Sequence, residues 1–298
     1  MSDRNDWRRI GVIVPSSNTT VEADFLLGAP DGVMVHPARM FLAETTAEAE
    51  RRMIFDHVPV AVTDLATLRP HVVAFACTSA GAVLGAAGEA ELIDRIARET
   101  AAPVVSTNDA VGEAIERLGR KRVAVLTPYV DELNQAIRAG LERRGLTVVH
   151  ITGLGMTDNF RIANVTPNEI VAFAERELAG KTFDIVFVSC TNFRAVEARP
   201  LLMRRFGVPV VTSNQTTIEA ALHAVGAIAK WSVPIAARPL SRRVPTSAID
   251  AVDGSSTGTS VPWIWGLLGL PRFRGARHAD DHDNRFGYRQ VGLSGSWG

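Results

Sequence analysis

The sequence predicts an α/β fold made of two pseudo-symmetric lobes, each a mostly parallel sheet flanked by helices, with the functional site in the cleft between them. Three observations carry this expectation. Short apolar, β-branched runs alternate with helical stretches through the first 230 residues, as a parallel sheet covered on both faces requires. The alternation then repeats in the same order: IGVIVPSSN is echoed by RVAVLTPYV, VVAFACTSAG by IVFVSCTNFR, and APVVSTNDAVGEAIERLG by VPVVTSNQTTIEAALHAVG. Finally, the only two cysteines, Cys77 and Cys190, stand at the ends of matching strands, and a threonine comes directly after each.

Element by element, RRIGVIVP (8–15) reads as a strand, and PSSNTTVEAD (15–24) leads from it into a helix. Helical spacing runs over 48–69, then come a strand at 71–77, a helix at 89–100, a strand at 102–107 and a helix at 109–119 that stops at a glycine. The second half brings strands at 121–128 and 146–152 around a helix at 130–145. A helix at 166–180 opens on Thr-Pro-Asn-Glu, a helix-start pattern. A strand at 183–190, a helix at 196–207 that contains a proline, a strand at 208–213 and a helix at 215–226 complete it. The expected lobes are 8–119 and 120–230.

Residues 231–298 break the pattern. They contain no Lys, Glu or Met but four of the five Trp, and show neither helical nor strand periodicity. Either a loosely structured extension or translation in a shifted frame accounts for such a tail. The frameshift is the preferred reading, and no function is placed there.

Composition excludes several partner classes. Formal net charge is zero and no basic run stands out, which argues against nucleic acid or an anionic membrane surface. The first apolar run is about five residues long, too short for a signal peptide or a membrane span. A cytoplasmic location with two free thiols is expected. The seven histidines show no HxH or HExxH spacing, so no metal is expected, and no nucleotide-binding glycine motif is present.

The chemistry-bearing candidates lie at strand ends, where ligands of such sheets bind. A thiol between a strand and a helix start gains from nearby N–H groups and hydroxyls, which favour thiolate. Two such thiols on opposite walls can serve opposite faces of a small substrate, whereas the plain alternative is two small core residues. Ser16, Ser17, Asn18, Thr19 and Thr20 could cradle a carboxylate, or could simply form a helix cap with Glu22. Tyr129, in LTPYVDELN, comes just after a strand that should line the cleft, and is otherwise a turn aromatic. Asn159, in GLGMTDNF, lies in a polar loop where an amide could meet substrate, though Asn is common in turns. His36 and Arg39, in VHPARM, could border the cleft, but a solvated strand end is the preferred reading.

PSSNTTVE, ACTSAG, TPYVDELN, GLGMTDN and SCTNFR, in this order, resemble maleate cis–trans isomerase, a member of the aspartate/glutamate racemase superfamily that also includes arylmalonate decarboxylase. The resemblance covers about residues 8–230; the tail does not match the short helical segment with which the family closes its first lobe. It implies catalysis without metal or organic cofactor. Cys77 would attack maleate as thiolate, and Cys190 would add and remove a proton at the neighbouring carbon. Ser17, Asn18, Tyr129 and Asn159 would hold the carboxylates, assisted by Thr78, Ser79, Thr191 and Asn192. The substrate would be a small dicarboxylate and the assembly a homodimer. The rivals are an amino-acid racemase, which needs an acidic partner for the ammonium group, an arylmalonate-type decarboxylase, which needs only the second cysteine, and a non-catalytic binder of small carboxylates.

Overall fold

The computed structural model describes residues 6–230, and the atypical stretch 231–298 lies outside the described residues. Strand β1 (Arg8–Pro15) is buried along its last six residues. It pairs in parallel with β2 (Val33–Met40) on one side and β3 (Val72–Phe75) on the other, and β4 (Val104–Ser106) extends the sheet in the order β2-β1-β3-β4. The second half repeats this plan. Strands β5 (Arg122–Thr127), β6 (Thr147–Gly153), β7 (Ile185–Val188) and β8 (Val210–Thr212) run parallel in the order β6-β5-β7-β8. β3 and β7 are buried throughout, which is why they read as unbroken apolar runs.

In both sheets the chain leaves the first strand toward one edge and returns on its other side. In sheets of this topology ligands bind at the carboxyl ends of the strands on either side of that reversal, which here are β1 and β3, and β5 and β7. Residues 16–20, 77–79, 128–129 and 190–192 all lie just beyond these strand ends.

The helices are α1 (Val21–Gly28), α2 (Ala47–Arg52), α3 (Val58–Leu68), α4 (Thr78–Thr100), α5 (Thr107–Arg117), α6 (Asp131–Arg143), α7 (Asn159–Ile162), α8 (Pro167–Leu178), α9 (Ala195–Phe206) and α10 (Ser213–Ala224). α8 starts on the expected motif, with a reciprocal Thr166–Glu169 cap. The helix expected over 48–69 is interrupted by a π-helical turn at Met53–His57. Pro59 comes next, in the first turn of α3, and has no N–H to continue the ladder. α4 begins directly after Cys77, well before the periodic stretch at 89–100, and kinks at Gly85, whose φ of 70° is open to glycine. β2 is anticipated in the sequence only as a strand end at His36 and Arg39. It is an edge strand of mixed burial that includes Pro37, and an edge tolerates the missing donor.

Two helices trade places. Val111, Ala114 and Ile115 of α5 pack in the core of the second sheet with Val123, Val125 and Phe187. Ile218, Ala221 and Leu222 of α10 pack with Ile10, Val12 and Ala74 of the first. The two helices meet where Thr217 Oγ1 donates to Thr107 Oγ1 at 3.0 Å. This exchange joins the halves through buried apolar surface, the dominant stabilising term in a fold of this size.

Candidate active site

Cys77 occupies the cap position of α4 in an extended conformation. Its thiol donates toward Glu50 Oε2 at 3.6 Å and lies 3.6 Å from Ser79 Oγ. Ser79 in turn donates to Glu50 Oε1 at 2.5 Å. Glu50 comes from α2 and is fully buried. Burial pushes its carboxyl up to about 7, and the hydrogen bonds from Ser79 and Cys77 hold it back only in part. Burial also drives the Cys77 thiol well above its ordinary value, and the Glu50 charge adds to this; the Ala80 N–H and Ser79 hydroxyl act in the opposite sense.

This corrects the expectation that a strand-to-helix junction favours thiolate at Cys77. The helix start does supply an N–H, but desolvation outweighs it, and no cation stands among the groups that set the value.

Cys190 is held differently. Its φ is 101°, outside the range an L-residue ordinarily adopts. The backbone N–H is fixed by Ser213 Oγ at 3.1 Å, and that oxygen also accepts from Thr78 Oγ1 at 3.0 Å. One hydroxyl of α10 thus bridges the two cysteine loops. Cys190 Sγ accepts from Asn192 N at 3.3 Å and from the Tyr129 hydroxyl. Burial pushes this thiol up to about 12, the Tyr129 bond and the N–H groups of Asn192 and Phe193 pulling the other way. Tyr129 is itself buried, and desolvation together with the nearby thiols raises its hydroxyl well above the ordinary value. Both cysteines are free.

The polar loops interlock beside the sulfurs. Asn18 Oδ1 accepts from Thr20 N at 2.9 Å and Val21 N at 3.0 Å in the turn that leads into α1, whose cap residue is Thr20, and Nδ2 donates to Thr191 Oγ1 at 3.2 Å. Thr191 Oγ1 also donates to Ala76 O at 3.2 Å. Asn159 Nδ2 donates to Ser17 Oγ at 2.8 Å, and Ser17 bonds Leu42 O. Asn192 bridges the loops: Oδ1 accepts from Thr19 N at 2.9 Å, and Nδ2 donates to Asn159 O at 2.6 Å. Arg39, on β2, donates to Ser16 O and Asn18 O at 2.8 and 3.0 Å and pairs with Glu22. Glu22 therefore serves Arg39.

The structure thus brings Ser17, Asn18, Asn159, Thr191 and Asn192 into one network, and gathers Thr78, Ser79 and Tyr129 around the two thiols. Sequence reasoning missed Glu50 and Ser213. Glu50 was detectable: it lies three and four residues before Met53 and Ile54, on the stripe that continues through Val58, Val62 and Leu65, so a carboxylate falls on a face that must be buried. Ser213 is the repeat partner of Thr107 in VVTSN and VVSTN.

Among the described residues no group of three or more His, Cys, Asp or Glu could hold a metal ion, and no helix is long and apolar enough to cross a membrane.

Comparison with known proteins gives the chain relatives of two kinds. The chain is 30% identical over 217 residues to a maleate isomerase of Nocardia farcinica, covering 69% of this chain and 85% of that protein. It is also 30% identical over 226 residues to the arylmalonate decarboxylase of Bordetella bronchiseptica, covering 74% and 92%. The structure of a cysteine-to-serine mutant of Nocardia farcinica maleate cis–trans isomerase, with a covalently bound succinylcysteine intermediate, superposes with a TM-score of 0.68 at 26% identity, covering 74% of this chain and 93% of that one. The model of the arylmalonate decarboxylase family matches residues 10–232, a span that includes both cysteines and every loop of the network. With the fold, the strand-end thiols and this match in agreement, the chain belongs to the arylmalonate decarboxylase family.

Proposed function

We propose that the protein isomerises maleate to fumarate through a covalent adduct on Cys77, without metal or organic cofactor. The observation that carries this reading is the pair of free, buried thiols at equivalent strand ends, in two loops that the Ser213 hydroxyl bridges. The sulfur of Cys77 adds to one alkene carbon, and the π electrons move to the neighbouring carbon and its carboxylate. Cys190 delivers its proton to that carbon. The former double bond is now single and turns; Cys190 takes the proton back, and the C–S bond breaks to release the trans product.

Tyr129, which bonds Cys190 Sγ, steadies the thiolate formed on proton delivery. The amides of Asn18 and Asn159, the latter oriented by Ser17, and the backbone N–H groups at Thr78 and Ser79 supply donors for the two carboxylates, and the backbone at Thr191 and Asn192 faces the developing enolate charge. The donor-rich loops and the two thiols suit a small dianion that gains and loses both a sulfur and a proton. A decarboxylase of the family's other kind has no use for Cys77.

Proton NMR of maleate with purified protein under reducing conditions tests the reading. Fumarate should appear, and should be lost with Cys77→Ala. A folded protein with free thiols that leaves maleate unchanged, or that releases carbon dioxide from an arylmalonate instead, overturns it.

A further inference from the structure

Among the described residues, Glu50 is a fully buried carboxyl that meets a reacting sulfur and that the mechanism above leaves unused. Its two oxygens are committed to different partners, Oε2 to the Cys77 thiol at 3.6 Å and Oε1 to the Ser79 hydroxyl at 2.5 Å. Ser79 thereby fixes the carboxyl plane with its free edge toward sulfur. Thr46 caps α2 by accepting from Ala49 N at 3.2 Å and holds the turn that carries Glu50. The titratable groups facing this carboxyl are the thiols of Cys77 and Cys190 and the hydroxyl of Tyr129, all uncharged when protonated, and no charged side chain contributes to its value.

A buried thiolate needs a source. Cys–His pairs make one by moving a proton to imidazole, and helix ends or cations stabilise one directly. Here the groups that set Cys77 include no cation. Creating a new charge in this site would carry the full desolvation penalty, whereas moving an existing charge from one buried group to its neighbour carries only the difference between the two. We propose that Glu50 is the proton acceptor for Cys77, so that the nucleophile is generated by transfer of the thiol proton to Oε2. Glu50 thereby becomes a catalytic residue and Ser79 its positioning residue.

The step balances. The S–H bond breaks, its proton passes to Oε2, and the electron pair left on sulfur forms the S–C bond. The π pair moves to the adjacent carbon, which takes the proton of Cys190. In return, Cys190 thiolate removes that proton, the double bond re-forms, the C–S pair goes back to sulfur, and Glu50 gives up its proton to it. One negative charge is present throughout, on Glu50 before addition and on Cys190 after it. Burial sets the Glu50 carboxyl at about 7, a value suited to giving and taking a proton near neutral pH. The proposal rests on the isomerase reading only for the identity of the electrophile.

Alkylation of Cys77 by iodoacetamide tests it without that reading. The adduct is mapped by mass spectrometry in the full chain, with Cys190 as internal reference. In the wild type, the Cys77 rate should rise through an inflection near pH 7. Glu50→Gln, which keeps the shape and an acceptor for Ser79, should slow Cys77 about tenfold or more at neutral pH and remove the inflection, and Glu50→Asp should restore part of the rate. A nearby negative charge that only repels thiolate predicts the opposite sign, with Glu50→Gln faster than wild type. Faster or unchanged alkylation overturns the proposal. If Glu50→Gln does not fold, the wild-type profile decides: no inflection near pH 7, or no alkylation of Cys77 at any pH, also overturns it. Turnover of maleate by Glu50→Gln, read in parallel, should fall about 10²–10⁴-fold. Slowed alkylation in a chain whose wild type does not isomerise maleate would sink the substrate and leave the proton transfer standing.

Discussion

Asn108 and Asn214, the second residues of α5 and α10, make the same pair of hydrogen bonds in the two halves of the molecule. Asn108 Nδ2 donates to Thr78 O at 3.2 Å and to Glu89 Oε2 at 3.1 Å. Asn214 Nδ2 donates to Thr191 O at 2.9 Å and to Asp24 Oδ2 at 2.6 Å. Each amide ties the carbonyl of the residue after a cysteine to a buried carboxyl. Burial pushes Asp24 up to about 7 against the Asn214 bond, and raises Glu89 against its bonds from Ser106 and Asn108. The repeat therefore duplicates the support of the thiols along with the thiols.

Replacing Asn214 by Ala removes the donor to Thr191 O and leaves Asp24 buried without its main partner. The expected loss is about 1–3 kcal/mol of stability, measured by urea unfolding. Asn214→Asp places a second carboxyl against Asp24 and should be worse above neutral pH than below it. An Ala variant as stable as wild type would mean that the amide is idle.

Cys190→Ser should separate the two halves of the reaction. Cys77 and its acceptor remain, while the sulfur that supplies and removes the carbon-bound proton is gone. Incubation with maleate should leave protein heavier by one maleic acid at Cys77, the carbon-bound proton then coming slowly from water, with turnover down about 10²–10⁴-fold. Intact-mass spectrometry and then peptide mapping check this. An adduct found only on residues other than Cys77, or no adduct with undiminished turnover, would contradict the assigned roles.

Much of this site was legible in the sequence because its parts sit at strand ends, and the buried strands of a parallel sheet announce themselves as unbroken apolar runs. Cys77, Cys190 and the loops at 16–20 and 128–129 are found by looking just past the end of such a run. Glu50 was hidden because helical spacing over 48–69 reports which face is buried and is silent on a polar residue placed within it. The exchange of α5 and α10 was hidden for a related reason: equivalent apolar faces, such as Val111–Ile115 and Ile218–Leu222, fit either sheet equally well on pattern alone. β2 was read only as a strand end at His36 and Arg39, because an edge strand that carries Pro37 has no periodic signature over its length.

Tyr129→Phe keeps the buried ring and deletes the hydroxyl that bonds Cys190 Sγ. Loss of that bond leaves desolvation less opposed, so the Cys190 thiol should move further above its ordinary value. Turnover should drop about 10-fold or more with little change in KM, because the phenol acts on the thiolate formed in the reaction. Steady-state kinetics on the variant checks this, and a change confined to KM would assign Tyr129 to carboxylate binding.

Glu50 also makes the stability of the fold depend on pH, with a definite sign. Its carboxyl is raised from an ordinary 4.5 to about 7 by burial, so between these values the folded chain holds a proton that the unfolded chain has released. Stability is then fully present below about pH 4.5 and is lost as pH rises through about 7. Asp24, raised from 3.8 to about 7, acts in the same direction. Glu50→Gln removes the first contribution. Its urea midpoint should match wild type near pH 4 and exceed it above pH 7, the difference approaching something on the order of 3 kcal/mol. A carboxyl kept because it serves the nucleophile, at the expense of the fold, is the pattern expected of a functional group in a buried site. Superimposable pH–stability curves for the two proteins would instead show that the carboxyl is solvated when charged, and would remove both this effect and the reason for a proton to dwell on it.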